Sequence, residues 1–328
     1  MKIKGMKIKG EKTKGEKIKG EKIKGGKIKG GAMKPESDFV TYNISEKEED
    51  QKCAPSKIYE NGSCIPLNIL VAMTKGYNKM NPQDAIILKP SIETLNPGKY
   101  KDYLVMEFNK RLNDICDDQI CWTKQDFVKI IDDQIRIELD KNTFRPSGPE
   151  GKFTWLNTFN INDTVSQYES KYNDFKFLGA VPIDFDELPQ LGISDLDLNN
   201  LKKNGKNKIG LIFNLDEHYK PGSHWVSMFA DLEKGQVYFS DSYGTEPEKR
   251  IRKFMRKVAK FIEENGNKNL DVRHNKKRHQ HGNNACGVYS INFIVRLLRG
   301  ESFDDINKNK IPDKEVNKCR LVYFTNNK

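Results

Sequence analysis

A buried helix with a cysteine in its first turn is the strongest constraint this sequence places on its own fold. Residues 278–290 read Arg-His-Gln-His-Gly-Asn-Asn-Ala-Cys-Gly-Val-Tyr-Ser, a polar turn that runs directly into an apolar stretch. Ile291, Phe293, Ile294, Leu297 and Leu298 recur at helical spacing, so Cys286 falls in the first turn of a core helix. A thiol there faces unpaired backbone N–H groups and the positive end of the helix dipole, which favour thiolate over thiol. Gln280, six residues earlier, can bring a side-chain N–H close to the same sulfur, which is the arrangement of a nucleophile beside an oxyanion donor. Taken alone, the segment equally describes an inert cysteine at the head of a core helix.

A second constellation lies upstream. Residues 222–231 (Gly-Ser-His-Trp-Val-Ser-Met-Phe-Ala-Asp) predict a strand opening at His224, residues 233–236 a turn, and residues 237–242 the returning strand of a hairpin. Asp241 follows His224 by seventeen residues, enough for two paired strands and their turn, so the two side chains can meet at one end of the hairpin. A lone histidine or aspartate is more often structural. His-Trp, Asp, Gln and Cys-Gly in that order are a much rarer set.

That set, His224-Trp225, Asp241, Gln280 and Cys286-Gly287, resembles the superfamily of cysteine proteases containing the SUMO-specific proteases and the adenovirus maturation protease. The His-to-Asp and Gln-to-Cys intervals are similar to those of the SUMO-protease branch, and the resemblance runs from Trp155 to about Ile306. It implies a base (His224), an orienting carboxylate (Asp241), an oxyanion donor (Gln280) and a nucleophile (Cys286). It also implies an α+β fold with a papain-like-superfamily core, a mixed sheet flanked by helices with the active site at the strand ends. Trp155-Leu156 is a further likeness. By resemblance, Trp155 and Trp225 would bind substrate by flanking a tunnel that admits only glycine before the scissile bond, because two indole faces close together leave no room for a Cβ. The rival reading of Trp155 is a core anchor.

At 328 residues the chain has ample length for a buried core, as one large domain or two small ones. A mean hydropathy of −0.76 and 31% charged residues describe a polar surface. No apolar run is long enough for a bilayer span and the N-terminus lacks the apolar segment of a signal peptide, so a soluble protein is expected. The net charge of +11 is localised: residues 1–34 hold thirteen lysines and three glutamates, leaving +1 for the other 294. Six cysteines, at 53, 64, 116, 121, 286 and 319, form no dense framework, so free thiols in a reducing compartment are expected. Cys53 with Cys64 and Cys116 with Cys121 resemble zinc half-sites, but no nearby histidine completes them.

Residues 1–34 are built on the pentad Lys-Ile-Lys-Gly-x, which has no apolar face to bury, and disorder is expected. The tail reads either as a polybasic arm making non-specific contact with nucleic acid or an anionic membrane, or as a repeat expansion with Met33 as the older start. Its glycine is doubled at Ile23-Lys24-Gly25-Gly26 and Ile28-Lys29-Gly30-Gly31. Both match the apolar-x-Gly-Gly form preferred in the adenovirus branch, which makes Gly26 and Gly31 candidate self-cleavage points. Residues 35–60 read as a linker and 61–150 as a helical accessory region, with helices over 63–79, over 100–116 (Leu104, Phe108, Leu112 and Ile115 on one face) and from a Thr123 cap onward. Residues 151–328 are the expected catalytic domain. It contains a helix through Ile161, Val165, Tyr168 and Tyr172, a buried strand over 209–215, an amphipathic helix over 246–265 and a strand over 269–274. His218, His279 and His281 read as local polar residues.

The expected function is a cysteine endopeptidase that needs no metal or organic cofactor and cuts after Gly-Gly or Gly-x sequences. Two protein substrates compete: structural precursors of a large DNA virus during virion maturation, and the glycine tail of ubiquitin or a ubiquitin-like modifier. The unmatched helical extension, the lysine tail and the Asn/Lys/Ile-rich composition favour the first, which would put the enzyme in virions and host cytoplasm; the second implies a cytoplasmic or nuclear enzyme. From another class, acyltransferases share the His-Asp-Cys order, but the tryptophan pair argues against the acyl-carrier site they require.

Overall fold

Alternation along the inner strands of the sheet decides which helix covers which face. The computed structural model describes residues 52–325 except Lys152, Asn267 and Lys268. The lysine tail, the two candidate self-cleavage points and most of the expected linker lie outside the described residues. Five strands, β1 (Phe175–Pro182), β2 (Lys208–Asn214), β3 (Trp225–Asp231), β4 (Gln236–Ser240) and β5 (Asp271–His274), form one mixed sheet in sequence order. The outer pairs β1–β2 and β4–β5 are parallel, and the inner pairs β2–β3 and β3–β4 antiparallel. Successive side chains of a strand point to opposite faces. Ile209, Leu211 and Phe213 of β2 with Val226, Met228 and Ala230 of β3 therefore enter one core, beneath the amphipathic helix Lys249–Glu264. Ile212, Trp225, Phe229 and Tyr238 enter the other, with the helices Thr158–Ser166 and Cys286–Leu298. The result is the expected α+β architecture, with helices on both faces of a mixed sheet.

The Cys286 helix is buried along its whole length, as its apolar pattern demands, and lies across β3. Asn157 starts the Thr158–Ser166 helix with a reciprocal capping box to Asn160. Strand β1 was not expected. Its sequence, Phe-Lys-Phe-Leu-Gly-Ala-Val-Pro, is interrupted by a lysine and a glycine, and its pairing with β2 shifts register between Phe177 and Ala180.

The N-terminal region has a separate core of its own, centred on Tyr77, Phe108, Trp122 and Phe127. Helices Leu67–Met80 and Pro97–Leu112 correspond to two of the three expected. Ile115 falls beyond the end of the second and is 62% exposed rather than on its apolar face. The helix expected from Thr123 does not form: a short 3-10 turn occupies Asp126–Val128, and the helix starts at Asp133. Asp132 wins as the cap because its carboxylate accepts the N–H groups of Gln134 and Ile135.

The expectation of six free thiols is corrected. Cys53 is bonded to Cys64 and Cys116 to Cys121, leaving Cys286 and Cys319 free. The first pair is brought together by a tight turn at Asn61-Gly62, where both residues take positive φ (50° and 75°), the dipeptide signature of a two-residue hairpin. Cys53 and Ala54 are already buried, so packing begins within the stretch read as linker. Gln167, at the end of the Thr158–Ser166 helix, ties this region to the catalytic half by donating to the carbonyls of Lys141 and Phe144 (2.8 and 2.7 Å).

Candidate active site

Hairpin register sets the site. Ser227 pairs with Ser240 across β3 and β4. Continued three residues beyond that pair, the register puts His224 opposite Tyr243, with Asp241 two residues inside it and so on the same face. The rings of His224 and Tyr243 stack at 4.6 Å, 16° from parallel, and His224 Nε2 lies 2.7 Å from Asp241 Oδ1. Gly244 closes the turn at φ +77°, where an added Cβ would meet the backbone of Lys277 at 2.8 Å. Only glycine fits there.

Asp241 is held on all sides. Its Oδ1 also accepts the Tyr243 N–H (2.9 Å), while its backbone exchanges two hydrogen bonds with the Asn275 side chain (2.8 and 2.6 Å). Burial pulls its carboxyl upward, but the bonds from His224 and Tyr243 and the His224 charge hold it below the ordinary carboxylate range. His224 responds in the opposite sense. Burial alone would lower its pKa, but bonding to Asp241 and to Cys286, with their negative charges, raises it to about 9. With Nε2 committed to Asp241, Nδ1 is the nitrogen left for the sulfur.

Cys286 is the first residue of its helix, and the preceding Ala285 supplies no side-chain cap. The first-turn N–H groups and the helix dipole therefore favour negative charge at this position. Gly287 lets the helix approach Leu156, whose side-chain carbons would lie 3.1–3.3 Å from an added Cβ. Gln280 is fully buried. Its Oε1 accepts the Ser242 hydroxyl (2.7 Å) and its Nε2 donates to the Gly282 carbonyl (2.9 Å). That fixes the amide and leaves one N–H of the Nε2 group for another acceptor.

The two tryptophans differ. Trp225 is 6% exposed and donates its indole N–H to the Leu156 carbonyl at 2.8 Å, whereas Trp155, one residue away from Leu156, is 46% exposed. Trp155 is therefore a surface side chain beside the site and not a core anchor. His218 bonds to Asp184 (2.6 Å), away from these residues. His279 is buried; burial, with Lys310, Arg296 and Lys277 nearby, pushes it down to about 4, so it is neutral at pH 7. Sequence reasoning missed Tyr243, Ser242 and Asn275. The Tyr243 stack was recoverable from the hairpin register, whereas the other two bond through partners that no spacing reveals.

A histidine bonded to a buried carboxylate, beside a thiol at a helix N-terminus, is on this fold the constellation of a cysteine protease, and the relatives carry that class. Residues 202–328 match the Ulp1 protease family, C-terminal catalytic domain. The chain is 38% identical over 282 residues to protein R355 of Acanthamoeba polyphaga mimivirus, which carries the name thiol protease; the match spans 84% of this chain and 93% of the relative. It is 25% identical over 234 residues to the cysteine protease S273R of African swine fever virus, covering 64% of this chain and 83% of that one. The crystal structure of the African swine fever virus pS273R protease shares the fold, with a TM-score of 0.56 and 24% identity over 69% of this chain and 89% of that one. The chain belongs to the Ulp1 protease family, among its large-DNA-virus members. Among the described residues no helix is long and apolar enough to cross a membrane.

Proposed function

We propose that this protease uses Cys286 as nucleophile, His224 as general base and acid, Asp241 to orient and charge the imidazole, and Gln280 with the Cys286 N–H as oxyanion donors. The observation that carries the reading is His224 bonded to the buried Asp241 at 2.7 Å, with the Cys286 thiol near enough to help raise the histidine's pKa. Sulfur attacks the carbonyl carbon of the scissile bond as the thiol proton resides on His224. The oxyanion then collapses, His224 gives its proton to the leaving amine, and water hydrolyses the thioester with His224 again accepting a proton.

The substrate is a protein cut after Gly-Gly or Gly-x, in a structural precursor of a large DNA virus, which places the enzyme in virions and infected-cell cytoplasm. Two features support this. Relatives covering most of the chain are proteases of large DNA viruses. Trp225, next to His224, has its indole N–H fixed on the Leu156 carbonyl, and the neighbouring Trp155 is half exposed; two indoles flanking the substrate backbone favour a glycine over any residue with a Cβ. The second reading, removal of a ubiquitin-like modifier, is favoured by relatives from three isolates of African swine fever virus that bear the name SUMO-1 cysteine protease. Electrophilic probes made from ubiquitin, from SUMO and from a short Gly-Gly peptide separate the two. Labelling by the peptide alone is the expected result; labelling by the SUMO or ubiquitin probe at a far lower concentration would overturn the precursor reading.

A further inference from the structure

Residues 281–285 join the oxyanion donor to the nucleophile, and their path decides where Gln280 stands relative to Cys286. Two short helices near the C-terminus, Asp313–Lys318 and Arg320–Tyr323, hold that path from outside. Asp313 Oδ2 accepts the backbone N–H groups of His281 (3.0 Å) and Gly282 (2.6 Å). Asp313 Oδ1 lies 3.0 Å from the hydroxyl of Tyr289, in the first turn of the Cys286 helix. At the other end of the stretch Arg320 Nη2 donates to the Asn284 carbonyl (3.0 Å), and its Nε donates to Asn317 Oδ1 (2.9 Å).

The inner side of the loop faces the site. The Gly282 carbonyl accepts from Gln280 Nε2 (2.9 Å) and from the Tyr243 hydroxyl (3.0 Å), and Tyr243 is the ring stacked on His224. Gly282 thus receives Asp313 on its N–H and presents its carbonyl to the oxyanion donor and to the histidine's stacking partner. A Cβ at Gly282 would sit 3.3 Å from Asp313 Oδ2, so the carboxylate and backbone are at closest approach.

We propose that Asp313 and Arg320 are positioning residues for proteolysis, clamping the 281–285 loop at both ends and setting the Gln280 amide against Cys286. The proposal rests on the roles given to Gln280 and Cys286 above. Two backbone N–H groups converging on one carboxylate oxygen make charge-assisted bonds, roughly twice as strong as neutral ones. Arg320 is 2% exposed. Burial pushes its pKa down, opposed by the nearby Cys286 charge, to about 10, so it stays cationic at neutral pH beside the developing thiolate.

The test compares Asp313→Asn, Arg320→Lys, Gln280→Ala and the double variant Gln280→Ala/Asp313→Asn. kcat and KM are measured on a fluorogenic Gly-Gly peptide, alongside iodoacetamide alkylation of Cys286, which needs no oxyanion donor. Asp313→Asn preserves size but directs either a neutral oxygen or an NH2 group at the two amides. A displacement approaching 1 Å costs about a hundredfold in rate, so kcat is expected to fall roughly ten- to a hundredfold with KM within about twofold. Cys286 alkylation and the melting curve stay as in wild type. The double variant is no slower than Gln280→Ala, because Asp313 acts through Gln280. Undiminished kcat in folded Asp313→Asn, or losses that multiply in the double variant, would overturn the clamp. Undiminished kcat in Arg320→Lys removes Arg320 from it. Full activity of Gln280→Ala on its own would instead sink the oxyanion assignment, and the clamp's route with it.

Discussion

Asp241→Asn isolates the electrostatic half of the site from its geometry. Two donors, His224 Nε2–H and the Tyr243 N–H, converge on Asp241 Oδ1, and an asparagine oxygen can serve both, so the ring keeps its place while the charge goes. In wild type, bonding and charge outweigh burial and lift His224 from 6.5 to about 9. That lift amounts to about 3 kcal/mol of preference for the imidazolium at roughly 1.36 kcal/mol per unit. Asp241 and Cys286 share it, so losing one charge is expected to lower the histidine by about one to two units. The readout is kcat/KM between pH 5 and 10.5. The alkaline limb, near pH 9 in wild type, should move toward about 7.5 in the variant. Stability follows the same linkage with a definite sign. A raised histidine pKa stabilises the fold fully below pH 6.5, and the stabilisation is lost as pH rises through about 9. Wild type should thus lose up to about 3 kcal/mol over that window, and Asp241→Asn distinctly less. An alkaline limb that remains near 9 in the variant would refute the claim that Asp241 keeps His224 charged.

Gln280→Ala should lower kcat by about two to three orders of magnitude with little change in KM, since an oxyanion donor acts mainly in the transition state; a raised KM with kcat unchanged would make Gln280 a substrate-binding residue. Wild type should cleave Gly-Gly peptides and reject Gly-Ala ones, and Trp225→Ala should relax that choice; equal wild-type cleavage of both removes the glycine filter. Intact mass of freshly purified wild type beside Cys286→Ala tests self-processing: a wild-type product beginning at Lys27 or Ala32, absent from the mutant, is expected, and identical full-length masses after long incubation would contradict it.

The catalytic half of the chain was legible because its chemistry is written in local patterns. The β3–β4 hairpin announces itself by alternation, and the length between His224 and Asp241 then forces the two side chains to one end. The Cys286 helix is legible because thirteen consecutive buried residues leave few other arrangements for so apolar a run. The accessory region was harder. Thr123 and Asp126 imitate a capping box, but Asp132 offers the better cap, and the Asn61-Gly62 turn that closes Cys53 onto Cys64 was overlooked. Strand β1 hides because an edge strand with a register shift needs no clean alternation. Asp313 and Arg320 were illegible for a different reason. Both grip backbone atoms, and a backbone partner leaves no mark in the sequence.

The central claim is that Cys286, and not the other free thiol, attacks the substrate. Burial pushes the Cys319 thiol up to about 12, so it remains protonated and out of reach. The most direct measurement is peptide mapping by mass after incubation with a vinyl sulfone peptide ending in Gly-Gly, on wild type, Asp241→Asn and Cys286→Ala. The account predicts one adduct in wild type, on Cys286, formed more slowly in Asp241→Asn at pH 8.5, and none in Cys286→Ala, which is also devoid of peptidase activity. An adduct on Cys319, or proteolysis that survives Cys286→Ala, would contradict it.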